Sequence, residues 1–516
     1  MDFRKILSVL ICGAASTLAM AQYPLFTNYD TQLFGQSELN GTARFVGVGG
    51  AMGALGGDAT TMFYNPAGIG IYRTSEITAS LNVHWTNTTM SDNNYTGPQE
   101  RKVTANLANI AYVGHWDIGA STGKEKGLLG ISLGAAYNRK KNFDRIGSYS
   151  TTKNYSKTQF YAYDAYGQES RYLNVNNFNN ESVGWRAITG YETYMFDETT
   201  PGSNEYISYF DKLTGGSGSV QDNVSFSETG GTNMFAVSLA GNISDIFYLG
   251  MSFECDYTSY QRSDNYTELM PNGRKLNTTS YLYLAGTAFT YKVGFILRPT
   301  NWLRIGGAYH TPSYYYINSQ NYGAANSNLD NGLFGSVSTP TYTQRALVNA
   351  PMQAIASIGF VLGKFGFVGI DYQWSNESGS VLKSASGMKH TTINDITKKE
   401  NVDTHSVRVG FEIKPFDALS LRIGGGYRTA ANTKEASRYY YTSDTRTDTH
   451  YINDMGAYNV TAGLGYRVGR HAFDIAYVWQ VTNGDYYEFN TPDLNVQPLN
   501  IRSVRNQLVF SYGVRF

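Results

Sequence analysis

Hydrophobic and polar residues alternate along many stretches of this chain of 516 residues. Between residues 234 and 240, for example, Phe235, Val237 and Leu239 fall on one face, and small residues or a methionine fall on the other. A period of two residues predicts a β-strand whose two faces meet different surroundings. Repeated segments of about ten residues with this pattern, separated by polar connections, are typical of β-barrels that cross a membrane.

The alternation predicts an all-β fold, a 14-stranded antiparallel transmembrane β-barrel over residues 73–516. An even number of strands agrees with the rule for bacterial barrels made of one chain. The predicted strands span residues 74–86, 103–116, 127–143, 231–243, 247–261, 278–297, 302–316, 351–362, 365–376, 402–413, 418–430, 456–468, 470–484 and 502–516.

Short turns alternate with long polar connections between these strands. The long connections span residues 87–102, 144–230, 262–277, 317–350, 377–401, 431–455 and 485–501. Barrels of the outer membrane have short turns in the periplasm and long loops outside the cell. We therefore expect an outer-membrane protein with a large extracellular loop at about 144–230 and with both termini in the periplasm.

The last predicted strand carries an independent signal. Leu508, Phe510, Tyr512, Val514 and the terminal Phe516 alternate with smaller or polar residues. An aromatic residue that ends such a strand resembles the signal by which the barrel-assembly machinery recognises its substrates, so that machinery is an expected partner. The alternative is the closing strand of a water-soluble barrel, but a continuous apolar belt in water would promote aggregation.

The N-terminus resembles a secretory signal peptide over residues 1–21. Arg4 and Lys5 precede a short apolar stretch, and Ala19-Met20-Ala21 provides a small-x-small cleavage site. The mature chain would then begin at Gln22 and contain one cysteine, Cys255, which excludes an internal disulfide. We expect stability to come from the barrel itself.

Composition and motifs argue against several functions. The chain has 41 basic and 41 acidic residues, so no overall charge attracts nucleic acid. The seven histidines have no metal-ligand spacing, and no nucleophile motif is present, so we expect no metal, no cofactor and no enzymatic activity. The 42 tyrosines suit a membrane interface, where the ring meets lipid and the hydroxyl meets water.

Residues 22–72 do not alternate and are rich in glycine. The run GGAMGALGGDA from Gly49 to Ala59, followed by FYNPAG from Phe63 to Gly68, resembles the N-terminal hatch of the outer-membrane long-chain fatty-acid and hydrocarbon transporter family. This resemblance implies a hatch in the barrel lumen, a path for hydrophobic ligands, and a gate that contains Phe63, Asn65, Pro66 and Ala67. The 144–230 loop is longer than the family pattern, which suggests that ligand capture differs.

The leading functional hypothesis is transport of hydrophobic small molecules, fatty acids first, with outer-membrane lipid around the barrel. Arg408 and Arg422 face the predicted lumen, and a guanidinium suits a ligand carboxylate. Two alternatives stay open. Similar barrels in Bacteroidetes-like bacteria serve protein secretion, so the chain is alternatively a scaffold or shuttle, and a general porin is the third possibility. A co-purified lipid, a stable protein complex or a large ion conductance would distinguish them.

Overall fold

A computed structural model describes residues 26–123, 125–330 and 333–516. The predicted signal peptide and its cleavage site lie outside these residues. Fourteen β-strands form one antiparallel sheet, in which each strand pairs with the next along the chain. The last strand pairs with the first from Glu76↔Arg515 to Ser91↔Asn500, so the sheet closes into a barrel. The predicted strand number and closure are confirmed.

The barrel strands are numbered here in chain order, and four of them consist of two segments in line. They are β1 Glu76–Ser91, β2 Glu100–Asp117, β3 Leu128–Asn142 with Arg145–Lys153, β4 Val220–Ile243, β5 Phe247–Leu269, β6 Lys275–Leu297, β7 Leu303–His310 with Tyr314–Asp330, β8 Tyr342–Asn349 with Gln353–Val361, β9 Gly366–Ser375 with Val381–Ser384, β10 Thr404–Phe416, β11 Leu419–Arg428, β12 Tyr451–Val468, β13 His471–Tyr487 and β14 Leu499–Arg515.

Side chains on the outside of the barrel are apolar, and those on the inside are mostly polar or small. In β4, Phe235 and Val237 are 54% and 56% exposed, whereas their neighbours Ala236 and Ser238 are buried. The same alternation recurs in β5, β10, β11 and β14. A closed sheet leaves no unpaired backbone edge, and its apolar outer belt fits hydrocarbon rather than water.

The two ends of the barrel differ in the connections between strands: one end has tight turns, and the other has longer connections. Ser244 and Asp245, between β4 and β5, have φ angles of 57° and 58°, the conformation of a two-residue hairpin turn. We call the end with this turn the short-turn end and the opposite end the long-loop end. The C-terminal Phe516 exchanges two backbone hydrogen bonds with Ser75 at the short-turn end.

The predicted long connections need correction, because strand pairing continues into several of them. The ladder between β5 and β6 reaches Leu269↔Lys275, so the predicted 262–277 loop reduces to a turn. Most of the predicted 317–350 loop is paired β-structure in β7, β8 and a short strand, Leu333–Ser338. These extensions contain threonine and tyrosine, which favour strands, together with serine and asparagine, and they lack the long alternating apolar face that marks the membrane-spanning part.

The predicted 144–230 loop is also part strand. Its ends extend β3 and β4, and the pairing runs from Arg145↔Glu228 to Lys153↔Val220. The intervening residues fold into a small helical unit at the long-loop end, which we call the outer cap (residues 154–219). Its core contains Phe160, Trp185 and Ile188, which lie in one buried cluster with Leu276 of β6 and Phe489 of the connection between β13 and β14. A two-stranded hairpin, Phe196–Glu198 with Tyr206–Ser208, completes it.

The helices are short and lie in the N-terminal segment, the connections and the outer cap. The α-helices are Gln32–Gly35, Ala43–Gly47, Ile118–Thr122, Lys157–Ala165, Trp185–Glu192, Tyr209–Thr214 and Thr391–Glu400. The 3-10 turns are Ala59–Phe63, Pro66–Ile71, Ser170–Tyr172, Val175–Asn177, Pro271–Gly273 and Glu377–Gly379. Among the described residues, we find no helix with the length and apolar character needed to span a bilayer.

Candidate functional site: the N-terminal segment and its cavities

Residues 26–72, which we call the N-terminal segment, are almost entirely buried and contact strands around the ring. Phe26, the first described residue, belongs to the same buried cluster as Tyr260 and Leu282, in the half of the barrel nearer the long-loop end. The segment then continues to the short-turn end, where β1 begins. Its turns are capped locally: the side chain of Thr42 accepts a hydrogen bond from the Phe45 amide, and that of Asp58 accepts one from the Thr60 amide.

Wall side chains donate hydrogen bonds to backbone carbonyls of this segment. Lys292 Nζ donates to the Phe63 carbonyl at 2.8 Å, and Lys292 is also paired with Glu254. His310 Nε2 lies 2.8 Å from the Tyr64 carbonyl. Similar bonds join Arg304 to the Leu55 carbonyl and Thr461 to the Gly47 carbonyl. The segment is therefore attached mainly through individual side chains, together with a backbone hydrogen bond from the Glu38 amide to the Lys140 carbonyl, and not through a strand ladder.

The four residues predicted as a gate lie together in the middle of this attachment. Asn65 Nδ2 donates to the Gly53 carbonyl at 2.7 Å and to the wall carbonyl of Phe295 at 3.1 Å. Its Oδ1 accepts from the Ala67 amide at 3.2 Å, which caps the turn that Pro66 begins. The Asn-Pro-Ala sequence thus forms a tight turn bonded both to the segment and to the wall.

Glycines of the wall are functional candidates that the sequence analysis did not single out. A Cβ added at Gly250 in β5 would lie 2.4 Å from the Pro66 carbonyl carbon, and one at Gly410 in β10 would lie 2.2 Å from the Val48 carbonyl oxygen. Comparable close approaches to the backbone of the segment occur at Gly306, Gly369 and Gly424, and Gly134 and Gly294 approach the side chains of Met62 and Asn65. Only glycine allows the backbone of the segment this close to the wall. Glycines at inward positions of several predicted strands were the available signal.

Two cavities lie between the N-terminal segment and the wall. The central cavity, of about 140 Å³, is lined by Phe45, Phe63, Tyr64 and Met234 together with polar groups that include Lys292, His310 and Arg408. The outer cavity, of about 270 Å³, lies nearer the long-loop end. Ser37 and Glu38 line both cavities. Each offers an amphipathic ligand an apolar surface and positive charge in one chamber.

The two predicted carboxylate contacts have different surroundings. Arg408 lines the central cavity, donates to the Tyr64 hydroxyl and to Gln373, and has no acidic partner among the residues that the structure describes. Its guanidinium lies 4.7 Å from the centre of the Tyr64 ring. Arg422 instead forms ion pairs with Glu412, at 2.7 Å, and with Asp474. A ligand carboxylate would meet an available cation at Arg408 and a paired one at Arg422.

The outer cap is fastened to a barrel connection by a buried ion network. Arg186 pairs with Asp164 at 2.9 Å and with Asp444 at 3.2 Å. Burial raises the pKa of both carboxyls above their usual value, while Arg186 opposes that rise. Burial lowers the pKa of His450, next to β12, to about 3, so this imidazole is neutral at pH 7. Within the described ranges, histidine, cysteine and acidic residues form no cluster that could hold a metal.

No protein-family model matches the sequence, and no curated protein matches it significantly. The comparison with solved structures does find similar proteins. The crystal structure of a Pseudomonas aeruginosa FadL homologue aligns with 14% identity and a TM-score of 0.52, covering 93% of this chain and 99% of the other. A deletion mutant of the TodX monoaromatic hydrocarbon channel aligns with 11% identity and a TM-score of 0.50, covering 93% and 100%.

These alignments and the strand pairing define the class of protein. The chain has the fold of the FadL-type channels, a 14-stranded barrel whose apolar outer belt suits an outer membrane. The resemblance first noted in residues 49–68 therefore extends, as a likeness of fold, over nearly the whole chain.

Proposed function

We propose that this protein carries hydrophobic small molecules, with long-chain fatty acids as first candidates, across the outer membrane, and that residues 22–72 act as a movable hatch. The observation that carries the proposal is the attachment of the N-terminal segment. Its carbonyls are bonded by separate wall side chains, so it can shift without disrupting the barrel ladder. The names of the two aligned structures, a FadL homologue and a hydrocarbon channel, support the same function.

The cavity linings favour an amphipathic acid over a neutral hydrocarbon. An acyl chain would contact Phe45, Phe63 and Met234 in the central cavity, and each buried CH₂ would contribute about 0.8 kcal/mol. The carboxylate would lie against Arg408, since its guanidinium has no acidic partner among the described residues. Arg422 is not retained as a ligand contact in this proposal because Glu412 and Asp474 occupy it.

The orientation follows from the same proposal. With the short-turn end in the periplasm, the outer cap faces the exterior and ligand moves from the outer cavity past the hatch. The C-terminus then lies on the periplasmic side, as expected for this class of barrel. The periplasmic position of the N-terminus stays a prediction, since residues 22–25 lie outside the described part of the chain.

The test is uptake of radiolabelled hexadecanoate by a transporter-null host. We expect the double variant Asn65→Ala with Pro66→Ala to change uptake at least threefold, because it removes the bonds to Gly53 and Phe295 and the fixed turn. The matched control is Pro299→Ala with Asn301→Ala, which alters the same residue types in an exposed turn. Equal uptake by wild type, variant and control would remove the hatch assignment.

A second candidate function, a scaffold in protein secretion, has one specific observation in its favour. The outer cap exposes Tyr163, Tyr166 and Val175, with exposed fractions of 46%, 62% and 48%. Exposed aromatic side chains in a region outside the bilayer suit a protein partner. A partner that co-purifies in a fixed ratio, together with absence of any ligand uptake, would favour this function. A general porin is the weakest candidate, since the buried N-terminal segment contacts strands around the ring, whereas such a porin needs an open lumen.

A further inference from the structure

The short-turn end contains a third recess, separate from the central and outer cavities. It lies beneath Leu55, Gly56 and Gly57 of the N-terminal segment and has a volume of about 320 Å³. Its lining is dominated by positive charge. Six lining residues are basic, and one, Glu412, is acidic. The basic residues are Arg44, Arg73, Arg304, Lys364, Lys414 and Arg515. We call this recess the exit vestibule.

Ion pairing within the fold does not neutralise the exit vestibule. Glu412 is shared among Arg422 at 2.7 Å, Arg44 at 3.3 Å and Lys414 at 3.7 Å. Within the recess, Glu412 therefore faces both Arg44 and Lys414, while Arg422, which does not line the recess, has a second carboxylate in Asp474. This local excess of positive charge contrasts with the equal numbers of basic and acidic residues in the whole chain. Such an excess of one sign in a recess concentrates counter-ions and oppositely charged ligands.

Two of the cations have no acidic partner among the described residues. Arg304 donates to the Leu55 carbonyl, and Lys364 stands at the turn between β8 and β9 with its Nζ 5.9 Å from the Phe365 ring. Arg73 and Arg515 are paired with Asp245 and Glu76 beside the recess. The cations without an acidic partner are therefore Arg304 and Lys364, and Lys414 adds a partly exposed ammonium group 3.7 Å from the shared Glu412 carboxylate.

We propose that the exit vestibule is a binding site for the anionic head group of an amphipathic ligand as it passes the hatch. This inference rests on the proposed function and narrows its substrate class to acids, because a neutral hydrocarbon gains nothing from these cations. Arg304 joins the site to the hatch, since the same guanidinium bonds the Leu55 carbonyl at the roof of the vestibule. A carboxylate arriving below the hatch would be held while the apolar chain follows.

The experiment compares an acid with a neutral compound in one host. Uptake of radiolabelled hexadecanoate and of toluene is measured for the full-length protein and for the double variant Lys364→Met with Lys414→Met. Neither lysine touches the N-terminal segment in any hydrogen bond of the described residues, and both side chains are at least partly exposed. We expect hexadecanoate uptake to fall about three- to tenfold, the effect of two solvent-accessible ion pairs, while toluene uptake stays within twofold.

A matched control removes two cations from the same end of the barrel outside the recess, Lys126→Met with Arg470→Met, both exposed. We expect this control to leave both rates unchanged. A second variant, Lys364→Glu with Lys414→Glu, should lower hexadecanoate uptake further, and added salt should reduce the difference between wild type and variants. Folding of each barrel is checked by its mobility shift on heating in detergent gels.

The outcomes separate this inference from the proposed function. An equal loss of hexadecanoate and toluene uptake, no loss of either, or the same loss in the control would overturn the head-group site while leaving transport intact. A wild type that takes up neither compound would overturn the proposed function itself. Selective loss of the acid confirms the site.

Discussion

An alanine at Gly250 tests whether the N-terminal segment is seated against the wall as described. The added Cβ would lie 2.4 Å from the Pro66 carbonyl carbon and 2.5 Å from the Ala67 nitrogen, and both atoms belong to backbone. Ordinary contact of a Cβ with such atoms begins near 3.4 Å. The Asn65–Ala67 turn must therefore move by about 1 Å, or β5 must bend. Overpacking of this kind costs about 1–3 kcal/mol.

The expected result of Gly250→Ala is a less stable and less tightly closed barrel. A 1 Å displacement would stretch the 3.1 Å bond from Asn65 to the Phe295 carbonyl beyond hydrogen-bond range. We expect a lower midpoint of thermal unfolding and greater sensitivity of the host to a large polar antibiotic that the intact barrel excludes. The unfolding midpoint is measured on purified protein, and the antibiotic sensitivity is measured on the cultures from which that protein was purified.

Gly241→Ala, across the same hairpin, is the matched control. Its Cβ would meet only Leu128 Cδ1 at 3.5 Å, an ordinary contact, so its unfolding midpoint and antibiotic sensitivity should match the wild type. If Gly250→Ala behaved like Gly241→Ala in both measurements, the close seating of residues 65–67 on the wall would be refuted.

Two further predictions concern the long-loop end. Arg186→Met should loosen the outer cap by about 3–5 kcal/mol, because it leaves the buried Asp164 and Asp444 without their cation, whereas the exposed Arg171→Met should cost less than about 1 kcal/mol. Limited proteolysis of the cap measures both, and equal cleavage rates would contradict the network's role. Burial lowers the pKa of His450 from 6.5 to about 3, so the stability it contributes is present above pH 6.5 and is lost as the pH falls toward 3. The charged groups nearest it are Asp264, Arg262, Asp448 and Arg438, and its ring stacks on Tyr486. The protection factors of amides in residues 430–450, which are corrected for the intrinsic pH dependence of exchange, should therefore fall between pH 7 and pH 4.5 in the wild type, and a His450→Gln variant that kept the same pH dependence would disprove the assignment.

The period-two pattern was sufficient to predict the barrel, because the alternation reports a local property. Each side chain of a membrane strand meets either lipid or lumen, so Phe235 and Ser238 could be assigned to opposite faces from their neighbours alone. The alternation of apolar and polar residues ends where the strands leave the membrane-spanning part of the barrel. Strands that continue into water, as β5 and β6 do to Leu269↔Lys275, carry no apolar face and were mistaken for loops.

The lumen depended on contacts that no local pattern records. Arg408 and the Tyr64 hydroxyl meet across 344 residues of sequence, and Asn65 meets Phe295 across 230. Before the ring closes, nothing distinguishes an arginine paired by two carboxylates, such as Arg422, from one left available to a ligand, such as Arg408. The sequence by itself determined which residues face inward, since that depends on parity along a strand. Only the tertiary structure decided which of them meet, because closure of the barrel and the path of residues 26–72 through it set those distances.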